Sequence, residues 1–257
     1  MKLAYGEDLA WVHHDGFGAF ARRSAPGLLA LFRDAGIESG RVVDLGCGSG
    51  IWAAALGRAG YDAHGIDSSR HMIALAREVA PAATLVNESL WSAELPPCRA
   101  VTSLGECVNY LFDGKKDRRA TRSFFRRVHA ALEPGGVFAF DFAEPGRSRG
   151  GYRGFTEGAG WSIQYDVSEN ARRTVLVRRI VVFRRAGETW RRSEETHELR
   201  LFRAPDLAGQ LREAGFRARI VRGYGEFRFP PSYAAIIARK PAKGGGPARS
   251  DAVGCEV

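Results

Sequence analysis

The stretch Val42-Val43-Asp44-Leu45-Gly46-Cys47-Gly48-Ser49-Gly50 runs from an apolar strand into three alternating glycines, and an apolar helical segment starts directly behind it at Ile51. Glycine lets the backbone turn sharply and lets a ligand approach where a Cβ would collide, while the free N–H groups of the following helix offer donors to a polar ligand end. This is the layout of a nucleotide-cofactor loop. Downstream, Tyr61-Asp62-Ala63-His64-Gly65-Ile66-Asp67 reads as a second strand ending in a carboxylate. That spacing puts Asp67 beside the glycine loop, where it can accept both ribose hydroxyls of an adenosine.

The glycines alone leave two cofactor classes open, because Gly48-Ser49-Gly50-Ile51-Trp52-Ala53 also satisfies the loose dinucleotide pattern G-x-G-x-x-A. The wider context discriminates. Asp44 is the last polar residue of the strand before the glycines, and Leu132-Glu133-Pro134-Gly135-Gly136-Val137 lies much further on. Together these features make residues 38 to 145 resemble the class I S-adenosylmethionine-dependent methyltransferases of small-molecule type, while the flanks resemble them only in general plan.

The resemblance implies an α/β fold with a Rossmann-like sheet of order 3-2-1-4-5-7-6. It also implies that the loop carrying Asp44, Gly46, Cys47, Gly48 and Gly50 holds the methionine part of S-adenosylmethionine and that Asp67 holds the ribose. Ser68, Ser69 and Met72 then follow along the adenosine. The family's adenine-reading acid is missing from Asn87-Glu88-Ser89-Leu90-Trp91, so Glu88 or Ser89 takes its place beside Leu90, with Trp91 either stacked on adenine or packed in the core. Leu104 and Gly105 end the fourth strand, and Gly105 would let the backbone approach the sulfonium.

Methyl transfer from a sulfonium starts from an activated leaving group, so positioning and desolvation do most of the catalysis. Glu106, Asn109 and Tyr110 follow the fourth strand, where they could orient or deprotonate an acceptor, although Glu106 could equally bond backbone amides. Nucleic-acid amino-methylating members carry an Asn or Asp-Pro-Pro-aromatic motif here; its absence argues for a small molecule. His13-His14-Asp15 falls in the N-terminal segment that forms a lid in many small-molecule members. A histidine beside an acid could take a proton from a nucleophile, the alternative being two surface histidines on a helix. Tyr5 would reach the cofactor carboxylate from the same lid, and His197, between Glu195 and Glu198, could line the acceptor pocket.

With 257 residues and 45% hydrophobic content, the chain can bury a large core and suits one domain with an embellishment. No apolar run approaches the roughly 18 residues needed to cross a bilayer, and Met1 to Glu7 lacks the apolar core of a signal peptide, which predicts a cytoplasmic protein. Cys47, Cys98, Cys107 and Cys255 show neither zinc spacing nor disulfide density, so no metal is expected. The net charge of +9 comes from 38 basic residues, of which only Lys2, Lys115, Lys116, Lys240 and Lys243 are lysines. Residues 146 to 203 hold 13 arginines against seven acids, so an anionic partner would dock there.

Helical spacing from Asp8 to His14 and from Gly27 to Ala35 predicts two helices ahead of the sheet. Alternation of strand and helix from Val42 to Phe142 predicts a parallel sheet covered on both faces. After a linker at Glu144 to Gly151, strands over Gly160–Val167, Thr174–Arg185 and Thr189–Phe202 predict an inserted antiparallel sheet. A helix over Pro205–Ala214 and a hairpin of Phe216–Arg222 with Tyr233–Ala238 complete the main sheet. The expected organisation is a helical lid over 1–40, a cofactor-binding core over 41–145, an inserted cap over 146–203, the completion of the core over 204–240 and a disordered tail over 241–257. The expected reaction is methyl transfer to nitrogen, or to oxygen or sulfur, of a small metabolite by a monomer or homodimer. The alternatives are an RNA-modifying methyltransferase using the arginine-rich insertion, a nicotinamide-dependent oxidoreductase, and a non-catalytic interaction protein.

Overall fold

The structure, a computed structural model, describes residues 5–112, 117–148 and 150–242. Two helices, α1 (Glu7–Phe17) and α2 (Ala19–Asp34), precede the alternating run β1 (Gly40–Leu45), α3 (Ile51–Arg58), β2 (Tyr61–Asp67), α4 (Arg70–Val79), β3 (Thr84–Asn87) and β4 (Cys98–Ser103). Then come α5 (Arg118–Ala131) and β5 (Leu132–Ala143), followed by the inserted strands β6 (Tyr152–Gly158), β7 (Trp161–Glu169), β8 (Val175–Ala186) and β9 (Thr189–Arg200). The chain closes with α6 (Ala204–Glu213), β10 (Arg217–Val221), a ribbon of β11 (Gly223–Tyr224) and β12 (Phe227–Arg228), and β13 (Tyr233–Arg239).

Seven strands form the main sheet in the order β3-β2-β1-β4-β5-β13-β10. All pairings are parallel except those of β13, which runs antiparallel to both β5 and β10. This is the expected 3-2-1-4-5-7-6 order. The period of two along β5 sends Phe138, Phe140 and Phe142 to one face, where they meet Phe124, Phe125 and Val128 of α5 and Leu207 and Leu211 of α6. Val137 and Ala139 point to the other face, against Leu28 and Phe32 of α2 and Trp52 and Leu56 of α3. Burying each such large side chain stabilises the fold by about 1.5–3 kcal/mol, so the two clusters fix the sheet's position between its helices. The strand order reverses between β1 and β4, which opens a crevice at their carboxyl ends.

The four inserted strands pair antiparallel in the order β6-β7-β8-β9. Leu9 and Val12 of α1 pack against Trp161, Ile163, Ile180 and Val182 on the inner face of this sheet. Glu7 and Asp8, in the first turn of α1, pair with Arg184 and Arg191. The Trp161 Nε1–H donates to Asp15 at 2.6 Å, and the Arg184 guanidinium lies 4.4 Å from the Trp11 ring centre. Helix α1 is therefore held to the inserted sheet, while α2 belongs to the core.

Three local features depart from the expectations. Helix α2 starts at Ala19 and runs through Pro26, rather than starting at Gly27; burial of Leu28 and Phe32 outweighs the loss of one backbone donor at proline. The insertion has a fourth strand, β6, whose Gly154 and Gly158 face the rings of Tyr165 and Trp161, with no room for a Cβ. Between the predicted hairpin strands the chain forms the extra β11–β12 ribbon. Of the predicted tail, residues 243–257 lie outside the described residues. Among the described residues, no helix is long and apolar enough to cross a membrane.

Candidate active site

The crevice at the carboxyl ends of β1, β2 and β4 is a cavity lined by Tyr5, His13, Gly46, Gly48, Asp67, Ser68, Met72, Ser89, Leu90, Trp91, Leu104, Gly105, Cys107, Tyr110 and Phe112. The glycine loop forms one wall. Gly46, Gly48 and Gly50 have φ of 76°, 54° and 79°, which an L side chain resists. A Cβ on Gly46 would stand 2.4 Å from the Cys107 sulfur, whereas one on Gly48 would meet nothing within 4 Å. Gly46 is thus required by packing and Gly48 borders open space that a ligand can fill.

The Asp67 carboxylate accepts the Gly48 N–H at 2.9 Å and the Ser69 N–H at 2.8 Å, tying the end of β2 to the glycine loop and to the first turn of α4. Ser69 caps that helix by accepting the Met72 N–H. Burial raises the Asp67 carboxyl above the usual carboxylate range, against these two hydrogen bonds. Trp91, which lines the cleft, also packs on Phe124 with ring centres 4.9 Å apart. Arg127 fixes this wall by donating to the carbonyls of Leu90 at 2.6 Å and Trp91 at 2.8 Å. Of Glu88 and Ser89, Ser89 lines the cavity and Glu88 is exposed.

Asp44 lies just beneath the loop, 2% exposed. Its Oδ1 accepts from Thr102 at 2.9 Å, and Thr102 accepts from the Trp52 Nε1–H at 3.0 Å. Burial pushes the Asp44 carboxyl up to about 7, with the Asp67 charge adding to the shift. A cationic ligand group reaching this carboxylate would restore its charge.

In the same cavity lining the Tyr5 and Tyr110 hydroxyls meet at 2.9 Å. Burial raises both phenols above their ordinary value, so both are neutral donors. Arg178, on β8, donates to the Tyr110 hydroxyl at 3.4 Å and to Glu106 at 3.2 Å, and Arg147 holds the other Glu106 oxygen at 3.1 Å. Glu106 is accordingly a 5% exposed counter-ion between two guanidinium groups rather than a cavity-lining group. Its backbone, at φ 64°, belongs to a turn in which the Gly105 and Glu106 N–H groups both donate to the buried Asp141. Asn109 bridges backbone groups of Ala143 and Arg200.

His13 lines the cavity edge-on to Tyr5. Burial, with Arg178 next in weight, lowers its pKa to about 4, so the ring is neutral at neutral pH. His14 points elsewhere and bonds Ser49 at 2.9 Å. Cys47 and Gly50 support the loop from behind: the Cys47 side chain abuts Gly65, and Gly50 caps α3 against Ala76. Tyr5, His13, Gly46, Gly48, Asp67, Ser68, Met72, Ser89, Leu90, Leu104, Gly105 and Tyr110 are therefore brought to one cavity, while Asp44, Cys47, Gly50, Glu88, Glu106 and His14 stand outside its lining. Cys107 and Phe112 complete the lining and carry no motif that announces them.

The fold and this site define a methyltransferase. The chain belongs to the family described as the methyltransferase domain, whose model matches residues 17–219, and S-adenosylmethionine is the cofactor. Over 188 residues it is 24% identical to the Bacillus subtilis protein named "Putative methyltransferase YqeM", covering 70% of this chain and 74% of that one. An S-adenosylmethionine-dependent methyltransferase from Clostridium acetobutylicum superposes with a TM-score of 0.78 at 16% identity, over 91% of this chain and 98% of the other. The sugar N-methyltransferase KedS8 from a Streptoalloteichus species gives 0.75 at 19% identity, over 94% and 97%.

Proposed function

We propose that this protein methylates a nitrogen of a small amine-bearing molecule, in a chamber formed by Tyr5, His13, Tyr110 and Phe112. The observation that carries this reading is the Tyr5–Tyr110 pair, which presents two neutral phenols to the cavity. Between them the two phenols share one hydrogen bond, so lone pairs remain to accept an amine N–H while the nitrogen lone pair stays free. Neutral His13 can accept a second N–H. When bound, the cofactor supplies an electrophilic methyl group on a sulfonium. An acceptor nitrogen lone pair held there would take that methyl group as the new C–N bond replaces the C–S bond, with an acceptor N–H proton passing to solvent.

On the cofactor side, Asp67 would accept the ribose hydroxyls, Met72, Leu90 and Trp91 would enclose the adenine with Ser89 at its edge, and Gly46, Gly48 and Asp44 would hold the methionine end. The neighbouring sugar N-methyltransferase fold supports an amine acceptor. The arginine-rich insertion lends little to an RNA reading, because Arg147, Arg153, Arg178, Arg184, Arg191 and Arg192 are paired with acids of this chain. The test is S-adenosylhomocysteine release with a panel of small amines, amino sugars included, beside matched alcohols and a transfer RNA. Turnover confined to alcohols or to RNA would overturn the proposal.

A further inference from the structure

Tyr5 is held from three directions. Its carbonyl accepts the Ser69 hydroxyl at 2.7 Å. Its N–H donates to Glu195 at 2.9 Å, and the next N–H, of Gly6, donates to the other Glu195 oxygen at 2.8 Å. Its hydroxyl meets Tyr110. The residue is also in the left-handed region, at φ 50°, a conformation that a tyrosine keeps only when its surroundings impose it. Glu195 comes from β9, opposite Ile180 of β8 in the sheet register, and the same carboxylate receives His197 Nε2 at 2.8 Å. The His197 ring is fully buried against Tyr5, Tyr110 and Phe112, and its Nδ1 has no hydrogen-bond partner among the described residues.

We infer that Glu195 is a positioning residue that couples the cofactor site to the acceptor chamber. The connection is continuous: Gly48 N–H to Asp67, Asp67 to Ser69 N–H, Ser69 hydroxyl to the Tyr5 carbonyl, and Tyr5 and Gly6 N–H to Glu195. A ligand that engages Asp67 and Gly48 fixes Ser69, and Ser69 fixes the start of the lid. Glu195 supplies the opposing anchor, without which the left-handed turn at Tyr5 relaxes and its phenol leaves Tyr110. It also accepts from His197, keeping that ring wedged behind the chamber's aromatic wall. Acceptor binding is thus assembled on the cofactor-loaded protein. This inference rests on the cofactor site described above and on no particular acceptor.

The test uses S-adenosylhomocysteine as probe and amide hydrogen exchange over residues 5–14 as readout, on the full chain. In the native protein the Tyr5 and Gly6 amides should be protected and become about tenfold more so with the probe, a gain within the usual range of site-to-site coupling. Glu195→Ala should expose both amides in either state and weaken probe binding by about the same factor, as reciprocity demands. Glu195→Gln, which keeps one oxygen acceptor in nearly the same volume, should lie between the two and guards against a folding defect. Ser69→Ala should leave the resting protection of Tyr5 in place and abolish the gain on binding. A Glu195→Gln or Glu195→Ala protein with native probe affinity and a native gain in protection would overturn the inference. Because no acceptor is used, failure of the amine reading would leave these results unchanged.

Discussion

Tyr5 and Tyr110, 105 positions apart in the sequence, join the lid to the loop behind the fourth strand through hydroxyls 2.9 Å apart. Replacing either by phenylalanine keeps the ring packing and removes one hydrogen bond, which costs about 0.5–1.5 kcal/mol of stability. The larger effect is expected on catalysis. Tyr110→Phe should lower kcat/KM for the amine acceptor by about ten- to a hundredfold, the size of a lost positioning contact, while S-adenosylhomocysteine affinity changes less than about threefold. Steady-state kinetics beside calorimetric binding separates the two; equal losses in both would place Tyr110 in the cofactor site instead.

Asp44 gives a pH signature. Its carboxyl is raised by burial to about 7, so between the unfolded value near 4 and about 7 the folded state binds a proton that the unfolded state releases. Its contribution to stability is present below the unfolded value and is lost as pH rises through the folded one. Asp44→Asn should therefore raise the melting temperature of the ligand-free protein at pH 8 by about 2–4 °C, the equivalent of about 1 kcal/mol, with a smaller gain at pH 6. The same variant should weaken S-adenosylhomocysteine binding at pH 8. Native affinity should fall as pH drops below 7, because binding a cationic group there releases the Asp44 proton; a pH-independent native affinity would contradict this.

The glycine loop separates packing from ligand contact. Gly46→Ala drives a Cβ to 2.4 Å from the Cys107 sulfur at a positive φ and should destabilise the fold by about 2–4 kcal/mol. Gly48→Ala meets open space and should cost only the conformational penalty of about 1–2 kcal/mol, yet reduce cofactor affinity at least as much as Gly46→Ala. Denaturant melts and binding titrations of the two variants provide the comparison. Equal destabilisation would show that the Cys107 contact is easily relieved.

Glu106 is expected to act through its two arginines. Glu106→Gln leaves Arg147 and Arg178 with a weaker partner in a largely buried setting, so a loss of about 3 kcal/mol is expected. A proton-accepting role would instead leave stability near native while abolishing turnover. Chemical denaturation and turnover measured on the same preparation distinguish these outcomes.

The parts of the site that were legible in the sequence are those that local chain geometry imposes. A strand followed by alternating glycines, and a second strand ending in Asp67, place the cofactor loop beside that carboxylate, while the sheet order came from the family resemblance that these residues and the Pro134-Gly135-Gly136 turn carry. The acceptor side was less legible because its groups come from three separate regions. The sequence marks His197 as a candidate for the acceptor pocket and gives Glu195 no role; pairing β9 with β8 brings both to Tyr5, with His197 behind the cavity lining instead of in it. Phe112 and Cys107 are ordinary apolar residues whose place depends on the turn that Asp141 holds. Strand β6 hides in a glycine-rich segment because its glycines make space for Tyr165 and Trp161, a requirement that only the paired sheet creates.

Helix α1 meets the inserted sheet through a seam of charges, Glu7 and Asp8 facing Arg184 and Arg191, and the Arg191 and Glu7 side chains are 42% and 60% exposed. Such pairs are weakened by dissolved ions, whereas the apolar contacts of Leu9 and Val12 below them are not. Ionic strength therefore becomes a kinetic handle on this protein: moderate salt should quicken the exchange of spent for fresh cofactor, and at higher concentrations the same loosening should let water into the chamber and erode the rate of transfer.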